Sequence, residues 1–110
     1  MYKRQDINLL TLLPAATASG LQVKHSSGDW WDVPINPSWI IVNAGDMLQE
    51  CTDYYYPSTT HRVLNPTGDE AKKSRLAMPL FLHPCGEVVL SKRHTAQSYR
   101  AERFAELGLK

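Results

Sequence analysis

The segment that decides the fold is Tyr55-Tyr56-Pro57-Ser58-Thr59-Thr60-His61-Arg62-Val63. Its aromatic and β-branched residues are typical of strands, because such side chains pack well on a pleated surface. Pro57 cannot donate a hydrogen bond to a sheet, so it separates the aromatic part from a second run over residues 59–64. This pattern predicts strands on both sides of Pro57, with His61 in the middle of the second one.

Most of the remaining chain also reads as short strands. Five apolar or alternating runs lie between turn residues, at 7–13, 21–24, 30–33, 39–43 and 76–82. The runs at 21–24 and 30–33 flank the turn sequence His25-Ser26-Ser27-Gly28-Asp29, which predicts a β-hairpin. Strands at this spacing indicate an all-β protein built as an antiparallel sandwich or barrel-like roll.

Two helices complete the prediction. Asp46 follows a glycine and is predicted to cap a helix of one or two turns, with Gln49 three residues later completing a capping box. Residues 95–109 mix apolar with charged side chains at helical spacing and reach a glycine, Gly108, near their end. This segment predicts a short amphipathic helix with a glycine stop.

Composition and charge exclude several classes of protein. The 110 residues suffice for one domain with a modest core, and 43% hydrophobic with 21% charged residues is ordinary for a globular chain. The net charge is +1 and the basic residues are scattered, so nucleic acid is not an expected partner. No apolar run approaches the roughly 20 residues of a membrane span, and no signal-peptide pattern opens the chain.

The two cysteines fit a reducing compartment. Cys51 and Cys85 form neither a CxxC pair nor a dense framework of the kind that disulfides build. We expect them to be inert, half-buried thiols without a functional role. With the absence of a signal pattern, this predicts a cytoplasmic protein.

Six sequence blocks carry a family resemblance. In chain order they are Leu10-Thr11-Leu12-Leu13-Pro14, Gly20-Leu21-Gln22-Val23, Trp31-x-Val33-Pro34, Val42-Asn43-x-Gly45-Asp46, Ser58-Thr59-Thr60-His61-Arg62-Val63 and Arg75-x-Ala77-Met78-Pro79-x-Phe81. With these blocks the chain resembles the isopenicillin N synthase-like iron(II)/2-oxoglutarate dioxygenases. The resemblance implies a double-stranded β-helix (jelly-roll) whose two sheets hold iron between them. It also implies that residues 1–110 are a partial, N-terminally truncated catalytic domain with a short C-terminal helix.

The resemblance also implies roles for three residues. Asp6 matches the carboxylate ligand of the metal, His61 matches a histidine ligand, and Arg75 matches the arginine that pairs with the distal carboxylate of 2-oxoglutarate. Iron(II) accepts imidazole and carboxylate ligands, and a guanidinium pairs bidentately with a carboxylate. Taken singly, the three would be a surface acid, a hydrogen-bonded strand histidine and a solvated cation. Their order within the family blocks favours the functional roles.

The chain departs from the family pattern at two positions. Arg4 stands where the family has its first histidine ligand, and a permanently protonated guanidinium has no lone pair for a metal. Ala77 stands where the family usually has a serine beside its arginine, which removes one hydroxyl contact to the keto acid. His25, on the predicted hairpin turn, and His83 and His94 are expected to be surface residues rather than replacement ligands.

Two functions therefore remain open at the level of sequence. The first is iron(II)- and 2-oxoglutarate-dependent oxidation of a small organic substrate. The second is a catalytically inactive jelly-roll fragment that acts at most as a binding or interaction module. In either case the apolar runs at 7–13 and 39–42 would lose their cover in a truncated jelly-roll, so we expect a homo-oligomer or pairing with a missing N-terminal half.

Overall fold

The structure, a computed structural model, describes residues 4–109 and confirms a mainly β-protein with a short C-terminal helix. Its elements are β1 (Leu10–Pro14), β2 (Leu21–Lys24), β3 (Trp30–Asp32), β4 (Ile40–Ala44), α1 (Asp46–Cys51), β5 (His61–Val63), a 3₁₀ turn (Gly68–Lys72), β6 (Leu80–Leu82) and α2 (Ala96–Glu106). None of the helices in the described part of the chain is long and apolar enough to cross a bilayer.

The strands form two antiparallel sheets of three strands each, in the orders β4-β1-β6 and β3-β2-β5. The predicted hairpin is present as β2 and β3, with Val23 opposite Trp31. On its other edge β2 pairs with β5, which places His61 opposite Val23. The central strand β2 is thus bordered by one strand near in sequence and one distant strand, whereas both neighbours of the central strand β1 are distant in sequence.

The register of sheet β4-β1-β6 sorts its side chains onto two faces. Leu12 lies opposite both Val42 and Leu80, and the neighbouring Thr11 lies opposite Asn43 and Phe81. Because successive side chains of a strand point to opposite faces, polar groups share one face with apolar ones while the other face is apolar throughout. The "outer face" consists of Leu10, Leu12, Ile40, Val42, Leu80 and Leu82. Four of these side chains are between 50% and 63% exposed.

The buried apolar core lies beside the sheets, under α2. Its fully buried apolar members among the described residues are Met47, Leu90, Ala96 and Tyr99, with Ile7 and Leu9 packed against them. The radius of gyration is 15.5 Å, against about 13 Å for a typical domain of 100 residues. The chain therefore has a small core and an extended shape.

Helix α2 follows its prediction closely. Thr95 is its N-cap, and the Thr95 and Ser98 side chains form a reciprocal capping box. Gly108 has φ 69°, and its N–H donates to the carbonyl of Ala105 while the Leu109 N–H donates to that of Phe104. This pair of bonds is the Schellman arrangement, which requires a left-handed residue and so favours glycine.

The prediction for the start of α1 was wrong. The N-cap is Gly45 rather than Asp46, and no side chain caps the helix. Instead of forming a capping box, the Gln49 side-chain oxygen accepts a hydrogen bond from the Ser58 N–H (2.8 Å). A Cβ at position 45 would collide with the carbonyl of Asn8, so the close approach of these two segments selects glycine at the cap.

The aromatic strand predicted before Pro57 was also wrong. Asp53 and Tyr54 have positive φ values of 50° and 65°, and Tyr54 to Tyr56 are exposed. The Tyr54 N–H donates to the carbonyl of Gln49 (2.9 Å), so the segment closes α1 instead of entering a sheet. The strands predicted at 7–13 and 76–82 are shorter than expected, because pairing partners exist only for Leu10–Pro14 and Leu80–Leu82.

Three surface predictions are corrected or supported. Cys51 and Cys85 are exposed thiols rather than half-buried ones. The His94 side chain is only 9% exposed, because it packs edge-on against Tyr99 with ring centroids 5.3 Å apart. His25 and His83 are exposed, as expected.

Candidate active site between the sheets

A cavity of about 240 Å³ lies between the two sheets. Its walls are the alternate, inward-facing residues of five strands, Thr11, Leu13, Leu21, Val23, Ile41, Asn43, His61, Val63 and Phe81, together with Arg4, Asp6, Arg75, Ala77 and Pro79. The sheets therefore face each other across a space lined mostly by aliphatic side chains. Its polar groups belong to a few residues, and these carry the chemistry.

The Asp6 carboxylate is held at one end of the cavity by two donors. Its Oδ2 accepts hydrogen bonds from the Thr11 hydroxyl (2.7 Å) and from the Asn43 side-chain amide (3.0 Å). Thr11 and Asn43 are directly paired across β1 and β4, so both point inward at the same level of the sheet. Oδ1 of Asp6 is then left to face His61, with its oxygen 3.6 Å from His61 Nε2.

His61 is held in one tautomer by its own strand. Its side chain is 8% exposed, and Nδ1 lies 3.1 Å from the backbone carbonyl oxygen of Thr59. Because that oxygen can only accept, Nδ1 carries the proton and Nε2 presents its lone pair toward the cavity. This is the form of imidazole that binds metals, with the second ring nitrogen fixed by a hydrogen bond.

Arg4 occupies the space in front of that lone pair. The backbones of Arg4 and His61 form an antiparallel bridge, with N–H to carbonyl distances of 3.1 and 3.0 Å. This bridge sets the two side chains next to each other, and Arg4 Nε donates to His61 Nε2 at 3.2 Å. The residue at the position of the family's first histidine ligand thus engages the nitrogen that a metal would need.

The donor set does not fit a complete iron(II) site of two histidines and one carboxylate. Asp6 and His61 supply two donors on one side, but the third position carries a guanidinium. Among residues 4–109, no group of three or more His, Cys, Asp or Glu side chains lies close enough to share a metal ion.

Arg75 lies at the other end of the cavity. A smaller adjoining cavity of about 20 Å³ shares Leu13, Leu21, Ile41 and Arg75 with the main one, which locates the guanidinium at that level of the strands. Its Nε donates to the carbonyl of Ala18 (3.2 Å), leaving its two terminal nitrogens for a ligand. The donor set fits one carboxylate of a small acid such as 2-oxoglutarate. Ala77 lines the same cavity with a methyl group instead of a hydroxyl.

The backbone near Asp6 is fixed by the start of α1. The Asp46 N–H donates to the carbonyl of Asp6 (2.7 Å) and the Met47 N–H to that of Asn8 (3.1 Å). The side chain of Asp46 is itself buried, and this burial raises the pKa of its carboxyl above the usual value. Burial likewise raises the pKa of Tyr99, in the core under α2, to about 12.

Sequence reasoning missed the residues that orient Asp6. Thr11 and Asn43 were part of the family blocks but received no role. The available signal was their polarity inside otherwise apolar strands, since a buried polar side chain needs a partner. Asn8, almost fully buried, was missed in the same way, and its amide donates to Thr11 Oγ1 (3.0 Å).

The chain is similar in sequence to known oxygenases and oxidases. The family model of the 2OG-Fe(II) oxygenase superfamily matches residues 1–84. The chain is 42% identical over 81 residues to 1-aminocyclopropane-1-carboxylate oxidase of Dictyostelium mucoroides, covering 72% of this chain and 21% of that protein. It is 35% identical over 78 residues to isopenicillin N synthase of Amycolatopsis lactamdurans, covering 71% of this chain and 22% of the relative.

Solved structures agree with these sequence matches. The crystal structure of a protein from Shewanella oneidensis, assigned as an oxygenase, superposes with a TM-score of 0.90 at 56% identity. The match covers 99% of this chain and 40% of that one. The chain therefore spans about a fifth of the length of the curated relatives and two-fifths of this solved structure.

Proposed function

The chain belongs to the 2OG-Fe(II) oxygenase superfamily, and we propose that it serves in the oxidation of a small organic substrate at the expense of dioxygen and 2-oxoglutarate. Iron(II) and 2-oxoglutarate are the cofactor and cosubstrate of this superfamily. In this proposal residues 1–110 are part of a dioxygenase catalytic domain, and its jelly-roll cavity is the place where cosubstrate and substrate meet.

The observation that carries the proposal is the convergence of Asp6 and His61. Their facing atoms, Oδ1 and Nε2, are 3.6 Å apart, although 55 positions separate them in the sequence. Two donors that each lie about 2 Å from one metal ion are at most about 4 Å apart, so the spacing is compatible with shared coordination. Asp6 and His61 are therefore the proposed metal-binding residues of this chain.

The contribution derived for this chain is to bind and orient, since the described side chains supply only two of the three metal donors. Arg75 would pair with the distal carboxylate of 2-oxoglutarate. Thr11 and Asn43 hold the Asp6 carboxylate in one orientation. The mostly aliphatic walls lower the local dielectric constant, which strengthens electrostatic interactions inside the cavity.

A second candidate function is favoured by one contact. The hydrogen bond from Arg4 Nε to His61 Nε2 blocks the nitrogen that a metal would take, which supports a catalytically inactive carboxylate-binding module. Formation of succinate from 2-oxoglutarate separates the two functions, and it can be followed by proton NMR with iron(II) and with a chelator. Iron-dependent succinate formation supports the oxidoreductase. No succinate at any iron concentration would contradict it.

The exposed apolar side chains of the outer face favour contact with another polypeptide surface. We propose that the outer face is covered by a second copy of the chain or by polypeptide outside the described residues. Support comes from the exposure of Ile40, Val42, Leu80 and Leu82 on one contiguous surface. The exposed thiols of Cys51 and Cys85 support the further proposal of a cytoplasmic location, where thiols stay reduced.

A further inference from the structure

We propose that the guanidinium of Arg4 stands in for the metal ion, so that the cavity binds a dicarboxylate between Arg4 and Arg75 with no metal present. The choice of 2-oxoglutarate as first ligand rests on the proposed function. The assignment of the Arg4 end rests on the geometry of this chain alone.

The charges of the cavity suit an anion. Arg4 and Arg75 both line it, and neither forms an ion pair with a carboxylate of the described residues. Asp6 contributes one negative charge, but its Oδ2 is already satisfied by Thr11 and Asn43. Two guanidinium groups without carboxylate partners in a largely aliphatic space outweigh the single charge of Asp6 and leave a net positive site, which attracts an anion that can pair with both of them.

The spacing of the two ends suits a short dicarboxylate. Arg4 sits at the level of His61, and Arg75 sits at the level of Leu21, to which Val63 is paired. From His61 to Val63 the strand advances two residues, or about 7 Å. The four carbon–carbon bonds of a five-carbon diacid, each about 1.5 Å, let its terminal oxygens reach across this distance. The cavity of about 240 Å³ lies below the range of about 300 to 1,000 Å³ typical of drug-sized ligands, so it favours a small acid.

Arg4 and a metal ion exclude each other at His61. Nε2 has a single lone pair, which accepts either the Arg4 N–H or a metal. With Arg4 in place, the near carboxylate of the ligand pairs with a guanidinium instead of chelating a metal. The 2-oxo group then has no metal to bind, so it should add little to affinity.

Calorimetric titration of 2-oxoglutarate in the presence of EDTA tests the proposal. We expect binding by the parent chain and a loss of at least about tenfold in affinity for both Arg4→Gln and Arg75→Gln, as removal of a charged pair predicts. Arg100→Gln, on an exposed position of α2 outside the cavity, is the matched control and should bind like the parent. Arg4→Lys keeps the charge and should retain part of the affinity. Circular dichroism confirms that each variant is folded.

Titration with glutarate, and with iron(II) added, tests the role of the 2-oxo group and of the metal. Glutarate, which lacks the 2-oxo group, should bind within about threefold of 2-oxoglutarate, and added iron(II) should not strengthen either. Equal affinity of parent and Arg4→Gln, or binding that appears only with iron(II), overturns the proposal. A chain that binds the diacid in EDTA but makes no succinate with iron(II) supports this inference while refuting the oxidoreductase. Iron-dependent succinate formation, together with unchanged 2-oxoglutarate affinity of Arg4→Gln, would support the oxidoreductase and overturn this inference.

Discussion

The two faces of sheet β4-β1-β6 differ in chemistry, because alternate side chains of each strand point to opposite sides of the sheet. On the inner face, Thr11 and Asn43 meet across the sheet and both donate to Asp6. On the outer face, Leu12 meets Val42 and Leu80, and nothing in the described part of the chain covers the latter two. The polar groups of the inner face find hydrogen-bond partners within the chain, whereas the apolar outer face needs another surface to pack against it.

The largest expected effect concerns the outer face. Exposure of a few hundred Å² of apolar surface, at roughly 25 cal/mol per Å², forfeits several kcal/mol, a large share of a small domain's stability. We therefore expect the 110-residue chain to self-associate at micromolar concentration in sedimentation velocity. Val42→Lys combined with Leu80→Lys should shift it toward monomer, whereas Val89→Lys, exposed elsewhere, should not. A compact, cooperatively unfolding monomer of the parent would contradict this prediction.

A smaller effect is expected at the junction that fixes the inner face. Gly45→Ala would drive a Cβ into the carbonyl of Asn8 and displace the start of α1, which holds the backbone of Asp6. We expect a loss of about 1–3 kcal/mol in the free energy of unfolding, as overpacking usually costs. Gly86→Ala, where the added Cβ meets only the Gln97 side chain, is the control. Equal urea midpoints for the two variants would refute the role assigned to Gly45.

Each hydrogen-bond donor to Asp6 is expected to contribute to the stability of the fold. Thr11→Val keeps the volume of the side chain but removes the hydroxyl that donates to Oδ2 (2.7 Å), leaving a buried carboxylate short of one hydrogen bond. We expect about 1–2 kcal/mol of lost stability by chemical denaturation. Thr60→Val, at the residue just before β5, tests the same substitution where the side chain forms no hydrogen bond with the described residues. An unchanged Thr11→Val variant would mean that Asp6 is held by other contacts.

The smallest expected effect is a pH dependence of stability that arises from the buried carboxyl of Asp46, at the start of α1. Burial raises the pKa of the Asp46 carboxyl above its usual value of 3.8, so the folded chain holds this proton more tightly than the unfolded chain. Below pH 3.8 both states are protonated and no stability is lost. As the pH rises from there to the folded-state pKa, stability falls, and it then stays constant. Asp46→Asn should therefore melt at a higher temperature than the parent at pH 7, with the difference vanishing in acid.

The exposed Asp53 provides the comparison for this experiment. Asp53→Asn makes the same substitution at an exposed position, so it should not reproduce the gain in melting temperature expected of Asp46→Asn at pH 7. If Asp46→Asn shows no such gain either, burial of this carboxyl does not govern the acid dependence.

Local signals predicted the elements whose contacts lie close in sequence. The hairpin of β2 and β3 and the glycine stop at Gly108 depend on turn residues that the chain displays directly. The family resemblance assigned Asp6 and His61 to one metal site, and in the structure Oδ1 of Asp6 lies 3.6 Å from Nε2 of His61.

The features that sequence reasoning missed depend on distant contacts. Gly45 is the cap because Asn8, 37 residues earlier, packs against it, and this contact displaced Asp46 from the predicted position. The tyrosine segment turns because Tyr54 closes α1. Arg4 was recognised as a poor metal ligand, but its hydrogen bond to His61 arises from a bridge between backbones 57 positions apart. Neither propensity nor spacing reports such pairings.

The most direct test of the site is iron(II) titration by anaerobic calorimetry of the parent, Arg4→Gln and Arg4→His. The account predicts the weakest binding for the parent, where Arg4 engages His61 Nε2. Arg4→Gln, which removes the cation, should bind more tightly, and Arg4→His, which adds a third donor, should gain at least about tenfold over the parent. Equal iron affinities for three folded proteins would contradict the claim that Arg4 closes the metal position beside Asp6 and His61.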